Sequence, residues 1–253
     1  MSAAPARPPM ISVEDVWKSF GDNHVLTGIN LDIEEGRTCV ILGGSGSGKT
    51  VLMKHMIGLL KPDKGKVIVD GEDIVPMDER DLERVRRKFG MVFQGAALFD
   101  SMTVYENVSF ALREHTDLSE DEIRAKVREK LGIVGLQNVE DRYPAELSGG
   151  MRKRVGLARA IVLDPKIVLY DEPTTGLDPI TTDYVDDMIL TAARELHVTQ
   201  VVISHDIASS FKVADKVAFL FKGKIVAEGP PRQLRGNPHP ELQHFLQMWF
   251  GKS

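Results

Sequence analysis

Gly43-Gly44-Ser45-Gly46-Ser47-Gly48-Lys49-Thr50 follows the apolar run Thr38-Cys39-Val40-Ile41-Leu42. The run predicts a buried strand of a parallel sheet. The octet fits G-x-x-x-x-G-K-[ST] and predicts a phosphate-binding loop that opens a helix near Gly48. The backbone N–H groups of Gly44 through Thr50 can wrap phosphate oxygens, because glycine adopts conformations that a Cβ forbids. The helix turns its positive N-terminal end toward the same anion. Lys49 would reach the β- and γ-phosphates of ATP, and the Thr50 hydroxyl would bind Mg²⁺. Gly43, Gly44, Ser45, Gly46, Ser47, Gly48, Lys49 and Thr50 are therefore the candidate ATP-binding residues. The set stops at Thr50; position 51, considered as a second threonine position, is given no ATP-binding role. The alternative is a glycine-rich turn without a ligand, against which the flanking strand and helix argue.

A second apolar run, Ile167-Val168-Leu169-Tyr170, ends in Asp171-Glu172. Open α/β sheets gather their ligand chemistry at the C-terminal ends of strands. Asp171 would hold Mg²⁺ through its water shell. Glu172 would take the proton of an attacking water as general base. Alone, this acidic pair is equally an ordinary strand-to-loop junction.

Between these two elements lies Leu147-Ser148-Gly149-Gly150-Met151. Here the chain resembles the ATP-binding cassette (ABC) ATPases, whose signature is usually L-S-G-G-Q. The resemblance runs from about Ile11 to Gly229. It implies an α/β fold: a P-loop NTPase (RecA-like) core, an antiparallel β lobe and an inserted α-helical subdomain at about residues 95–164. It also assigns Gln94 to the Q-loop, Thr175-Gly176-Leu177-Asp178 to the D-loop and His205 to the switch histidine. In such a protein Ser148, Gly149 and Gly150 cap the ATP of the partner subunit. Asp178 couples the two sites across the dimer interface. His205 steadies the attacking water. Gln94 senses Mg²⁺ and that water. The implied catalytic set is Glu172, His205, Lys49 and Gln94, and the implied metal ligands are Thr50, Gln94 and Asp171.

Two positions depart from the usual pattern. Met151 replaces the signature Gln, and Phe20 stands where many relatives stack adenine on Tyr. Phe keeps the π-face, so it remains a candidate ATP-binding residue. The segments Phe93-Gln94-Gly95-Ala96-Ala97-Leu98-Phe99, Val104-Tyr105-Glu106-Asn107-Val108, Leu112-Arg113-Glu114-His115-Thr116 and Leu147 to Arg154 are similar to the ATPases of Mla/MCE-type lipid transporters. That branch implies a phospholipid-handling system. Its expected parts are a second copy of the chain, a transmembrane permease, an MCE-domain protein and a possible STAS-domain subunit. It also implies a cytoplasmic protein, peripheral on the inner (plasma) membrane. An importer of amino acids or another polar solute shares every catalytic motif and stays open as the alternative.

Composition is compatible with one lobed α/β unit. The chain has 253 residues, 42% hydrophobic and 27% charged, enough for a substantial core. A net charge of −5 gives no global basic field for nucleic acid. Two local basic groups, Arg84 to Lys88 and Arg152 to Arg154, read as solvated helix faces; a permease or anionic lipid contact is the alternative. One cysteine, Cys39, excludes an internal disulfide. No stretch approaches the roughly 20 apolar residues of a membrane span. Residues 1–10 read as a short disordered tail without the apolar core of a signal peptide. After Gly229, Leu242, Phe245, Leu246 and Trp249 recur at helix spacing. Residues 230–253 are thus expected to form a helical appendix, packed on its own domain or docked on another subunit.

Overall fold

The computed structural model describes the backbone of residues 8–250 and the side chains of residues 8–248. Residues 1–7 of the expected 1–10 tail and the Trp249 side chain lie outside the described residues; the tail expectation is corrected at Met10, which is buried and donates its N–H to Ile33 O at 2.8 Å. In chain order the first elements are β1 (Ile11–Phe20), β2 (Asn23–Ile33), β3 (Thr38–Leu42), α1 (Lys49–Met56), β4 (Lys64–Val69), β5 (Glu72–Asp73) and α2 (Glu79–Arg86). Next come β6 (Phe89–Val92), α3 (Val104–His115), α4 (Glu120–Ile133), α5 (Gly149–Ala160), β7 (Ile167–Asp171) and α6 (Pro179–Leu196). The chain closes with β8 (Thr199–Ser204), α7 (Ile207–Val213), β9 (Lys216–Phe221), β10 (Lys224–Gly229), α8 (Pro231–Arg235) and α9 (Pro240–Phe250). The fold is mixed α/β, as the sequence predicts.

The elements fall into two compact units, residues 1–86 with 201–253, and residues 87–200. In the first unit, β1 pairs antiparallel with both β2 and β4, and β4 with β5. Asp15 has φ 46°, and the register of β1 shifts around it. A second sheet region centres on β3, every residue of which is buried. β3 runs parallel to β9, which pairs antiparallel with β10. Cys39 on β3 is free, and burial pushes its thiol up to about 12, so it acts as a small apolar residue. In α9, Leu242 and Leu246 are buried, and the Phe245 ring lies 5.1 Å from Phe219 of β9. The terminal helix therefore packs on its own unit.

The second unit joins a parallel strand pair, β6 and β7, to a helical array. Local signals set its helix starts. Thr103 and Glu106 form a capping box on α3, and Ser119 and Glu122 form the expected one on α4. Pro144 opens a short 3-10 turn, and the chain then enters α5. Among the described residues no helix is long and apolar enough to cross a membrane.

Candidate nucleotide-binding and catalytic site

In the first unit, β3 delivers the glycine-rich loop to α1. Gly43 N–H donates to Ser204 O of β8 at 3.3 Å, and a Cβ on Gly43 would meet Leu220 O at 2.4 Å. Glycine is required there by close backbone approach. Gly48 has φ 107° and closes the loop in a conformation that favours glycine. Gly44 and Gly46 have no described atom within 4 Å of an added Cβ, so the loop is open beside them.

Lys49 is the first residue of α1 and is only 6% exposed. Its ammonium donates to Gly43 O at 2.8 Å and Gly44 O at 3.1 Å, folding back over the loop. Among the described residues the buried Ser47 hydroxyl has no hydrogen-bond partner. Buried polar atoms are seldom left unpaired, so this hydroxyl is suited to a polar ligand atom. Thr50 is exposed at the start of α1, and Ser45 at the loop crest. An open glycine cradle, a buried cation and an orphan hydroxyl together fit a phosphate chain.

Position 51 is corrected: the residue there is not threonine but Val51. Its half-buried side chain has no hydroxyl to offer a phosphate or a metal, and its carbonyl accepts from His55 Nδ1 at 2.6 Å within α1. The side-chain ligands of the loop therefore end at Thr50, and the absence of a role at position 51 follows from its chemistry.

Phe20 ends β1 and is 50% exposed, which excludes a core role. The Lys18 ammonium lies 5.6 Å from its ring centroid. His205 follows β8 directly and is exposed. Its neighbour Asp206 caps α7, accepting from Ser209 N–H at 3.1 Å.

In the second unit, β7 ends in Asp171, and Glu172 takes φ 49°. That conformation is uncommon for a residue with a Cβ and is associated with functional sites. The Thr175 hydroxyl donates to Glu172 Oε2 at 2.8 Å, and Thr175 N–H to Glu172 O at 3.3 Å. The carboxylate is thus held in one direction within a tight turn. Asp178 caps α6, accepting from Ile180 N–H and Thr181 N–H at 3.0 Å each. The Thr181 hydroxyl, then these N–H donors, hold its carboxyl below the ordinary range.

Ser148 caps α5 by accepting from Met151 N–H at 3.2 Å. The nearest atom to a Cβ on Gly149 is an Arg152 nitrogen at 3.9 Å, and Gly150 has nothing within 4 Å. Glycine in a helix costs about 1 kcal/mol relative to Ala. Among the described residues no close packing against the rest of the chain requires glycine at these two positions in the first turn of α5.

Gln94 is exposed after β6. The loop beyond it is held by residues that the sequence did not reveal. Ala96 and Ala97 have φ 63° and 48°. Arg159 of α5 clamps both, donating to Ala97 O at 2.7 Å and Ala96 O at 3.0 Å. Gly156 lets this strained turn approach, since a Cβ there would meet the Ala96 Cβ at 3.2 Å. Asn107, fully buried, accepts from Phe99 N–H and donates to the carbonyls of Phe99, Met102 and Thr103. The only sequence signal was a polar residue on the apolar face of α3.

The reading of the second basic group as a solvated face is corrected at Lys153; Arg152 is exposed, as that reading expects. Lys153 is buried and donates to Pro173 O, while Arg152 and Arg154 donate to Leu147 O and Gly135 O. In the first group, Arg84 pairs with Glu72 through two hydrogen bonds, and Arg86 pairs with Glu79. Much of this local positive charge is therefore paired within the chain, though Arg84 and Arg152 stay exposed.

The family model described as ABC transporter matches residues 26–175. The probable ribonucleotide transport ATP-binding protein mkl of Mycobacterium leprae is 44% identical over 243 residues, covering 95% of this chain and 70% of that protein. The intermembrane phospholipid transport system ATP-binding protein MlaF of Escherichia coli K12 is 40% identical over 237 residues, covering 94% of this chain and 88% of that one. Among solved structures, the dimeric post-hydrolysis state of the ATP-binding cassette MJ0796 bound to ADP and Pi superposes with a TM-score of 0.78. It is 32% identical and covers 88% of this chain and 99% of its own. The chain belongs to the ABC transporter family, as one of its ATPases.

Proposed function

We propose that two copies of this chain enclose ATP between them and hydrolyse it to drive a separate membrane permease that moves phospholipid. The observation that carries the two-copy reading is the open space at the start of α5, where, apart from the helix's own backbone, a Cβ added to Gly149 would meet no described atom nearer than an Arg152 nitrogen at 3.9 Å and one added to Gly150 none within 4 Å. A helix N-terminus without side chains is suited to close approach by a phosphate. The dimeric state of the MJ0796 cassette supports the same arrangement.

In this reading the glycine loop and Lys49 bind the phosphates, and Phe20 stacks on the adenine. Thr50, Asp171 and Gln94 would hold Mg²⁺, which neutralises phosphate charge. Among the described residues no group of three or more His, Cys, Asp or Glu side chains is placed to hold a metal. Magnesium commonly binds through few protein oxygens plus substrate phosphates, so this is compatible with the assignment. Glu172 takes a proton from water as its oxygen attacks the γ-phosphorus. The bond from that phosphorus to the β–γ bridging oxygen breaks, releasing ADP and phosphate. His205 and the partner's signature residues orient the γ-phosphate, and Asp178 couples the two sites. Loss of those γ-phosphate contacts lets the dimer reopen, and the cycle works the permease.

An expected result tests the shared site. Gly150→Val should leave melting nearly unchanged, because its Cβ has open space. Turnover should fall by about a hundredfold to a thousandfold, the scale of displaced transition-state donors. Unchanged steady-state hydrolysis in the permease complex would remove the capping role.

The lipid assignment is supported by similarity to MlaF across 94% of this chain. On this reading the protein works at the cytoplasmic face of the inner membrane, with an MCE-domain protein and a possible STAS-domain subunit as further partners. The name of the M. leprae relative favours a second reading, a permease for a polar solute such as a ribonucleotide. Affinity purification of the tagged chain from its native membranes in mild detergent, with mass spectrometry of proteins and lipids, separates the two. A co-purified permease holding phospholipid supports the first. A solute permease without lipid overturns it and keeps the ATPase.

A further inference from the structure

Helix α5 uses its cations on backbone carbonyls at separate points of the second unit. Arg152 donates to Leu147 O at 2.7 Å, Arg154 to Gly135 O at 3.2 Å and Arg159 to the Ala96–Ala97 turn. Lys153 differs from these arginines in depth. It is 8% exposed, and Pro173 O is its hydrogen-bond acceptor. Burial lowers its pKa, and no neighbouring carboxylate opposes that shift. A buried ammonium without a carboxylate partner is an expensive way to fill a core position. The cost points to a task for the contact.

Pro173 directly follows Glu172. Its ring fixes φ, which removes one backbone rotation between the held carbonyl and Glu172. The Thr175 hydroxyl donates to the Glu172 carboxylate at 2.8 Å. The turn is thus pinned at two points, one by its own threonine and one by α5. On α5, Lys153 lies one helical turn beyond Gly149, about 6 Å along the axis.

We propose that Lys153 is a positioning residue: it ties the helix that caps the partner's ATP to the turn that carries Glu172. Each copy's general base is then set when its own α5 is engaged by the nucleotide of the other copy. This rests on the functional reading above, with Glu172 as base and α5 as cap.

The test measures ATP turnover of the permease-containing complex with Lys153→Met, Lys153→Arg and Glu172→Gln in parallel. Lys153→Met should lower kcat about tenfold while KM for ATP stays within about twofold. Its Hill coefficient for ATP should fall toward one. Lys153→Arg, which also reaches the carbonyl with a charged donor, should recover most of kcat. Wild-type kcat and cooperativity in Lys153→Met, or an equal loss in Lys153→Arg, would overturn the tether. Persistent turnover in Glu172→Gln would instead sink the base assignment. If Lys153→Met fails to fold, hydrogen exchange in the wild-type complex decides. Protection of the Thr174 and Thr175 amides should rise when non-hydrolysable ATP is added, and unchanged exchange there overturns the proposal.

Discussion

Glu172→Gln is expected to bind ATP, accumulate as a closed dimer and lose turnover by about a thousandfold, within the range for loss of a positioned general base. The substitution is nearly isosteric. Its amide oxygen can still accept from the Thr175 hydroxyl, which holds Glu172 Oε2 at 2.8 Å in the native turn. The φ of 49° is no harder for Gln than for Glu, so folding should survive. What disappears is the ability to take a proton from water. Steady-state phosphate release and melting temperature, measured together on the permease complex, check this. Wild-type turnover would refute the base, whereas early melting would mean that the carboxylate is structural.

Lys49→Ala should act one step earlier, on nucleotide binding itself. The native ammonium is 6% exposed and donates to Gly43 O and Gly44 O. These carbonyls position the cation over the open face of the loop. A hydrogen bond to a charged group contributes about 1.5–3 kcal/mol, so affinity should fall by roughly tenfold to a hundredfold. Equilibrium titration with a fluorescent ATP analogue reads this directly. An unchanged Kd would remove Lys49 from phosphate recognition.

Much of the fold was legible because its strongest signals are local. The five residues Thr38–Leu42 are all buried, and the octet after them bends where its glycines permit positive φ. Ser119 and Glu122 form the expected capping box at α4. Ser148 likewise caps the helix that begins in the signature. For the same reason the candidate site residues were nameable as motifs. Their supports were not. Arg159 reaches carbonyls 62 and 63 residues away, and Lys153 one 20 residues away. Nothing in the Arg152-Lys153-Arg154 triplet distinguishes the buried cation from its neighbours. The strain at Ala96 and Ala97 was equally silent, because alanine carries no preference for positive φ that a reader could detect.

The most direct test of the account is to locate a photo-crosslinker carried on the γ-phosphate of ATP. The sample is a permease complex, isolated with two tags, that joins one Lys49→Ala copy to one wild-type copy. Mass spectrometry then assigns the label. The account predicts label on the Ser148–Gly150 peptide of the Lys49→Ala copy, delivered by nucleotide held on its partner. Label confined to the wild-type copy would contradict a site shared between two chains.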